Sequence, residues 1–371
     1  MKATQLLHDL GQSLWLDNIT RELLDRGMLE RYKSELSVSG LTSNPTIFHR
    51  AIKSSSAYDA SIRNKLAQAR SPQARSPERI FFELALEDLT RAADLFRPIY
   101  EKTNTVDGWV SLEVSPLLAY DTQGTIDAAR ELYARAGRPN LLIKIPGTKE
   151  GLPAIEESIF AGIPINVTLL FSPEQYRAAA EAFLRGIERR LATNLNPNVG
   201  SVASVFVSRW DGAVADKVPK ELQNKLGIAI AKRTYKTARG LLSSPRWHRV
   251  YNAGARPQRP VWASTGTKDP QASDVLYLKA LAAPFTVNTM PENTLLALAA
   301  HTELGPIMTP DGGDSDQVLS QFANAGIDVD ALAAELQAEG AKSFVKSWNE
   351  LMAVIESRSA EMTRASAASR Q

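Results

Sequence analysis

Asn140-Leu141-Leu142-Ile143-Lys144-Ile145-Pro146-Gly147-Thr148 is an apolar run bounded by Asn at one end and Pro-Gly at the other. That is the pattern of a short strand buried on both faces of a parallel sheet. Lys144 is its one charged residue. Burying an ammonium is expensive, so a lysine here is paired, placed at the strand's open end, or neutral. A neutral lysine is a nucleophile that forms a Schiff base with a carbonyl compound. A lysine ending an edge strand would merely face water. The neighbouring segments weigh these alternatives.

Seven other segments read as strands: 12–17, 36–45, 106–114, 163–170, 202–208, 259–264 and 283–288. Between them fall helical stretches, at 19–32, 122–136, 149–160, 172–193 and 212–242, with another opening at Pro291. A short amphipathic helix at 4–10 precedes the first strand, and Ser76-Pro77-Glu78 is a good helix start within a largely helical insertion. Two helical stretches, 316–338 and 341–358, come last, before a small polar tail at 365–371 expected to fray. Strands alternating with helices, without hairpin signals, argue for an α/β fold with a parallel sheet. Eight is the number that closes a (βα)8 TIM barrel, here with additional helices. An open doubly wound sheet is the alternative. No linker divides the chain, so one barrel domain over 1–371 is expected, with its core at about 12–301, an insertion at 45–98 and C-terminal helices at 315–364.

Polar residues favour the barrel. Successive side chains of a strand point to opposite faces. Ser111 and Glu113 share a face opposed by Val110, Leu112 and Val114; Lys144 opposes Ile143 and Ile145. Asn166 and Thr168 oppose Ile165, Val167 and Leu169, and Ser204, Phe206 and Ser208 oppose Ala203, Val205 and Val207. Asp17, Asn44 and Ser264 stand near the ends of their own strands. In a barrel these groups converge inside the C-terminal mouth, where barrel active sites lie.

Composition narrows the partners. The 371 residues carry 43 Lys and Arg against 41 Asp and Glu, a formal charge of +2, and no cysteine. That balance suggests no nucleic acid partner, and without thiols there are no disulfides or cysteine metal sites. His8, His49, His248 and His301 are scattered without ligand spacing, so no metal site is expected. The N-terminal stretch lacks the apolar core of a signal peptide, and no run is long enough for a membrane span; a cytoplasmic protein is expected.

A free lysine with a pKa of about 10.4 is neutral in about one molecule in 2,500 at pH 7. Bringing that pKa to ~7 takes roughly 4–5 kcal/mol of destabilisation of the charged form. Apolar neighbours supply desolvation, whereas an adjacent ionised Glu113 would oppose it. The tension eases if Glu113 stands one water away, exchanging protons with a water that Thr168 also holds. Dehydration of a carbinolamine needs such two-way proton transfer. Asp17, across the barrel, is placed for a second proton, that of a hydroxyl during C–C cleavage.

Four stretches in order carry a resemblance: Gly40-Leu41-Thr42-Ser43-Asn44-Pro45-Thr46, Leu142-Ile143-Lys144-Ile145-Pro146, Asn166-Val167-Thr168-Leu169-Leu170-Phe171-Ser172, and Ser204-Val205-Phe206-Val207-Ser208-Arg209. With Asp17 and Glu113 they resemble the transaldolases. The resemblance implies a Schiff-base mechanism without metal or cofactor, and sugar phosphate substrates. A dihydroxyacetone unit would pass from sedoheptulose 7-phosphate to glyceraldehyde 3-phosphate, giving erythrose 4-phosphate and fructose 6-phosphate in the pentose phosphate pathway. It implies Lys144 as nucleophile, Glu113 and Thr168 as holders of the catalytic water, and Asp17 as acid/base. Asn44 and Asn166 would bind the three-carbon unit, Ser204 a substrate hydroxyl, and Arg209 and Ser264 a phosphate. Phe206 stands where a simple aldolase would have Tyr, which favours transfer over release. The family's second arginine after the seventh strand is missing from Ser264-Thr265-Gly266-Thr267-Lys268, and Lys268 is the candidate substitute. A pyridoxal-phosphate barrel and a non-catalytic sugar phosphate binder are the competing readings. A monomer or homodimer is expected.

Overall fold

The computed structural model describes residues 1–368, with side chains through 364. Eight parallel strands pair in sequence order and close: β1 (Gln12–Leu16), β2 (Val38–Leu41), β3 (Val110–Glu113), β4 (Leu141–Pro146), β5 (Ile165–Leu170), β6 (Ser201–Phe206), β7 (Arg259–Ala263) and β8 (Thr286–Met290). Pairing of β8 with β1, from Gln12 with Thr286 to Leu16 with Met290, removes the open-sheet alternative. The fold is a (βα)8 barrel with extra helices.

Alternation sorts each strand into an outer and an inner set. Val110, Leu112, Ile143, Ile145, Ile165, Val167, Ala203 and Val205 belong to the large core beneath the helices. Inside the barrel, Trp15, Trp109, Leu142, Val202, Val261 and Val287 form a separate buried layer. Gly40 makes room for it, since a Cβ there would lie 2.8 Å from Trp15 Nε1 and 2.5 Å from the Trp109 carbonyl. Below this layer, Asp107 accepts from Ser13 Oγ at 2.5 Å and Trp15 Nε1 at 2.9 Å, while Arg259 donates to Ser13 Oγ at 2.7 Å and the Val106 carbonyl at 2.6 Å. These buried polar groups find partners, so the lower end is a plug, and the polar side chains above the layer open only upward.

Several boundaries differ from the sequence expectation for local reasons. The stretch 19–32 is two helices, Arg21–Asp25 and Met28–Glu35, separated at Gly27 with φ +67°. The stretch 212–242 is also two, Ser208–Val214 and Leu226–Leu242, so Ser208 starts a helix instead of ending β6. β3 starts only at Val110, beyond Gly108 with φ +82°, and β8 runs two residues further than expected, to Met290. At the C-terminus the break falls at Gly326 (φ +83°), where Asp328 Oδ1 accepts from Ala331 N at 3.0 Å and caps the next helix. That helix, Val329–Ala368, continues through Gly340, where a break was expected. It reaches part of the expected frayed tail; residues 369–371 lie outside the described residues.

The insertion folds into helices Pro45–Ser54, Asp59–Gln68 and Pro77–Lys102, the last capped by Ser76. Phe81 and Phe82 pack on Trp348 of the last helix, with ring centroids 5.1 and 5.7 Å apart, and Phe81 also packs on Phe48 at 5.3 Å. Thr46 Oγ1 donates to Ser347 Oγ at 2.8 Å. This aromatic contact lays the last helix across the barrel mouth. Leu169, Phe171, Phe206, Leu336, Ala341 and Phe344 share a further apolar cluster there. Among the described residues no helix is long and apolar enough to cross a membrane.

Candidate active site

A cavity of about 270 Å³ occupies the mouth. Of the residues singled out from sequence, Asp17, Asn44, Lys144, Thr168, Ser204, Phe206, Arg209, Ser264 and Lys268 line it. Glu113 and Asn166 are not in the lining; both are buried, on the cross-strand neighbours of Lys144.

Lys144 Nζ donates to Glu113 Oε2 at 3.0 Å and to the Ser43 carbonyl at 3.2 Å. Both side chains are buried, at 6% and 3% exposure. This corrects the expected separation by a water. The register sets Glu113 directly beside Lys144 on adjacent inward positions, so their side chains touch. Burial pushes the Glu113 carboxyl above its usual range; the Lys144 charge and hydrogen bond pull it back, and Asp17 pushes it further up. Glu113 Oε1 and Thr168 Oγ1 are buried without a protein hydrogen-bond partner.

Asp17 follows β1, its N–H bonded to the Met290 carbonyl at 2.7 Å. Thr42 Oγ1 lies 3.1 Å from its carboxylate and 2.8 Å from Thr289 Oγ1. Desolvation raises the Asp17 pKa against the lowering effects of Lys144, Thr42 and Lys268. The result is two carboxyls with raised affinity for a proton, Glu113 bonded to the Lys144 amine and Asp17 lining the same cavity as that amine. Such a set is suited to moving protons.

Asn44 caps the helix Pro45–Ser54, its Oδ1 accepting from Ile47 N at 3.1 Å. That duty leaves its Nδ2 as the donor for the cavity. Asn166 donates to Ser111 Oγ at 3.0 Å and accepts from Ser204 Oγ at 2.8 Å, fixing its amide from both sides. Ser264 adopts φ +56° and shares a 2.9 Å hydrogen bond with Ser208 Oγ.

Besides Lys144, three basic side chains line the cavity: Arg50, Arg209 and Lys268. None belongs to an ion pair among the described residues. Arg209 stacks over Phe206 at 5.2 Å and Phe344 at 5.9 Å, and Lys144 Nζ lies 5.7 Å from the Phe344 ring. Phe206 is itself stacked on Phe171, centroids 5.3 Å apart. An apolar wall carrying unpaired cations matches a small polyol ending in a phosphate. Sequence reasoning missed Arg50, Thr42, Thr289 and Phe344. Arg50 had one signal, its position one helical turn after Thr46 on the helix that Asn44 caps. Phe344 had none, because nothing local tells which face of the last helix meets the mouth.

At the exit of β5 the chain departs from regular strand geometry. Leu169 has φ +59°, and the β5–β6 register shifts between Val167 and Leu170. The bulge reverses the alternation. Leu169, expected with the outer set, turns into the apolar cluster over the mouth, while Leu170 joins the outer core. A branched residue in the left-handed region costs of order 1 kcal/mol or more, and such strain collects at functional sites.

A closed parallel barrel with a buried lysine and two carboxyls at its C-terminal mouth is the architecture of a barrel enzyme. Residues 14–355 match the family model described as Transaldolase/Fructose-6-phosphate aldolase. The chain is 42% identical to the Transaldolase of Arthrobacter sp. (strain FB24), over 98% of this chain and 99% of that protein. It is 43% identical to the Transaldolase of Thermobifida fusca (strain YX), over 94% and 96%. To Transaldolase 2 of Nostoc sp. (strain PCC 7120 / SAG 25.82 / UTEX 2576) it is 38% identical, over 95% and 96%. The chain belongs to the transaldolase/fructose-6-phosphate aldolase family.

Proposed function

We propose that this protein is a transaldolase of the non-oxidative pentose phosphate pathway, moving dihydroxyacetone from sedoheptulose 7-phosphate to glyceraldehyde 3-phosphate through a Schiff base on Lys144. The observation that carries the reading is the buried Lys144–Glu113 contact at 3.0 Å beneath a cavity bearing three unpaired cations.

Passing one proton from Lys144 to Glu113 along that hydrogen bond leaves a free amine and a neutral acid, so no net charge is created in the low-dielectric floor. The amine attacks the ketose C2 carbonyl. Loss of water from the carbinolamine uses Glu113 and a water held with Thr168, a role supported by their unpartnered oxygens. Asp17 takes the C4 hydroxyl proton as the C3–C4 bond breaks. The aldose phosphate departs, and the three-carbon enamine stays on Lys144. Attack of the enamine on the acceptor aldehyde, with Asp17 returning the proton, runs the sequence backwards. Asn44, Asn166 and Ser204 orient the three-carbon unit; Arg209, Ser264 and Lys268 hold the phosphate.

The family name also covers aldolases, which release dihydroxyacetone. Phe206 argues for transfer, since a phenyl ring packed between Phe171 and Phe344 offers no proton to the enamine. Incubation with fructose 6-phosphate and erythrose 4-phosphate tests the assignment. Sedoheptulose 7-phosphate and glyceraldehyde 3-phosphate should form in equal amounts. Free dihydroxyacetone as the main product would contradict it.

A further inference from the structure

Gln337 lies on the last helix, outside every motif that led to the site. Its amide Nε2 donates to two backbone carbonyls, Leu169 O at 2.9 Å and Gly147 O at 3.1 Å. These carbonyls sit where β5 and β4 leave the barrel, just past Thr168 and a few residues past Lys144. Gly147 N also donates to Thr168 O at 2.7 Å, so the two exits are tied to each other and to the helix above.

Leu169 itself lies in the left-handed region, with φ +59°. The residue is buried, and an unpaired backbone acceptor there would be costly. Gln337 supplies the donor and so favours the bulge over a regular strand, in which every side chain past Val167 would change faces. Thr168 sits inside that bulge. Gly340 permits the contact: one turn beyond Gln337, a Cβ would lie 2.9 Å from Leu169 Cδ2 and 3.2 Å from Arg209 Nη1. A glycine inside a helix is unfavourable relative to alanine, and here it lets the helix backbone approach the bulge.

We propose that Gln337 is a positioning residue for the Schiff-base step, holding the strained exit of β5 so that the Thr168 hydroxyl faces the reacting carbon. The inference rests on the function proposed above. It makes the C-terminal helix a working part of the active site.

The test is a double-mutant cycle with Thr168→Ala, measuring kcat and KM for fructose 6-phosphate alongside the melting temperature. Gln337→Leu removes both hydrogen bonds. Gln337→Glu keeps the volume but has no amide donor, and carries the test if the leucine variant does not fold. Either change should lower kcat about 10- to 100-fold with KM changed by less than about threefold, the scale of a small misplacement of a reacting group. In the Thr168→Ala background the same change should cost less than about threefold more, because both act through one group. An undiminished loss in that background would overturn the proposal, as would a lowered melting temperature with kcat intact. If the unsubstituted protein gave no borohydride adduct on Lys144, the Schiff-base reading itself would fail, a result distinct from one confined to Gln337.

Discussion

Lys144 and Glu113 meet directly across neighbouring strands, Nζ to Oε2 at 3.0 Å, with both side chains buried. The contact gives the lysine a carboxyl neighbour that can accept its proton. Glu113→Gln retains the shape and a hydrogen-bonding group but cannot take that proton. It should lower kcat by about 10²- to 10⁴-fold, the usual range for loss of a general base. Rapid-quench measurement of imine formation should place the loss at that step. An unchanged rate would remove Glu113 from the proton path.

Phe206 separates transfer from release. Phe206→Tyr places a phenol beside the enamine, between Phe171 and Phe344. Cleavage of fructose 6-phosphate to free dihydroxyacetone should rise relative to transfer, measured as the product ratio with and without acceptor. An unchanged ratio would show that the ring does not control protonation.

Arg50 and Lys268 are exposed cations lining the same cavity as the half-buried Arg209. Removing a cation from a phosphate site typically costs about 1.5–3 kcal/mol, or roughly 10- to 100-fold in affinity. Lys268→Ala should therefore raise KM for phosphorylated substrates far more than for unphosphorylated analogues. The same comparison with Arg50→Ala asks whether Arg50 shares the work of the missing second arginine. Equal effects on both substrate classes would place the side chain outside the phosphate site.

Asp211 gives a pH signature away from the chemistry. Its carboxylate accepts from Leu226 N at 2.9 Å, Gly227 N at 3.3 Å and Tyr277 Oη at 2.8 Å, yet burial outweighs these bonds and lifts its pKa to about 6. A carboxyl raised on folding favours the folded state while protonated. That stability is present below about pH 4 and is lost as pH climbs through about 6, roughly 3 kcal/mol in all. Asp211→Asn should flatten this part of the curve of melting temperature against pH. An unchanged slope would assign it to other groups.

The barrel was legible because burial on both faces leaves a parallel strand few places for a polar side chain. Glu113, Lys144, Asn166 and Ser204 announced a common interior through period-two alternation, and Asp17 through its place at the end of its strand. The contact between Lys144 and Glu113 was not legible as direct, since their register comes from pairing across the sheet. The expected gap between 338 and 341 is helical instead, and Gly340 within it lets the helix approach Leu169 and Arg209. Gln337 and Phe344 gave no local sign, because which stripe of a long helix meets the mouth is decided by packing against Phe81 and Phe82.

The central claim, that Lys144 forms the covalent intermediate, is tested most directly by borohydride reduction in the presence of fructose 6-phosphate, followed by peptide mapping. One reduced adduct on Lys144, absent from Lys144→Ala, which should be folded and inactive, is the expected result. An adduct on a different lysine, or none while the protein turns over, would contradict the account.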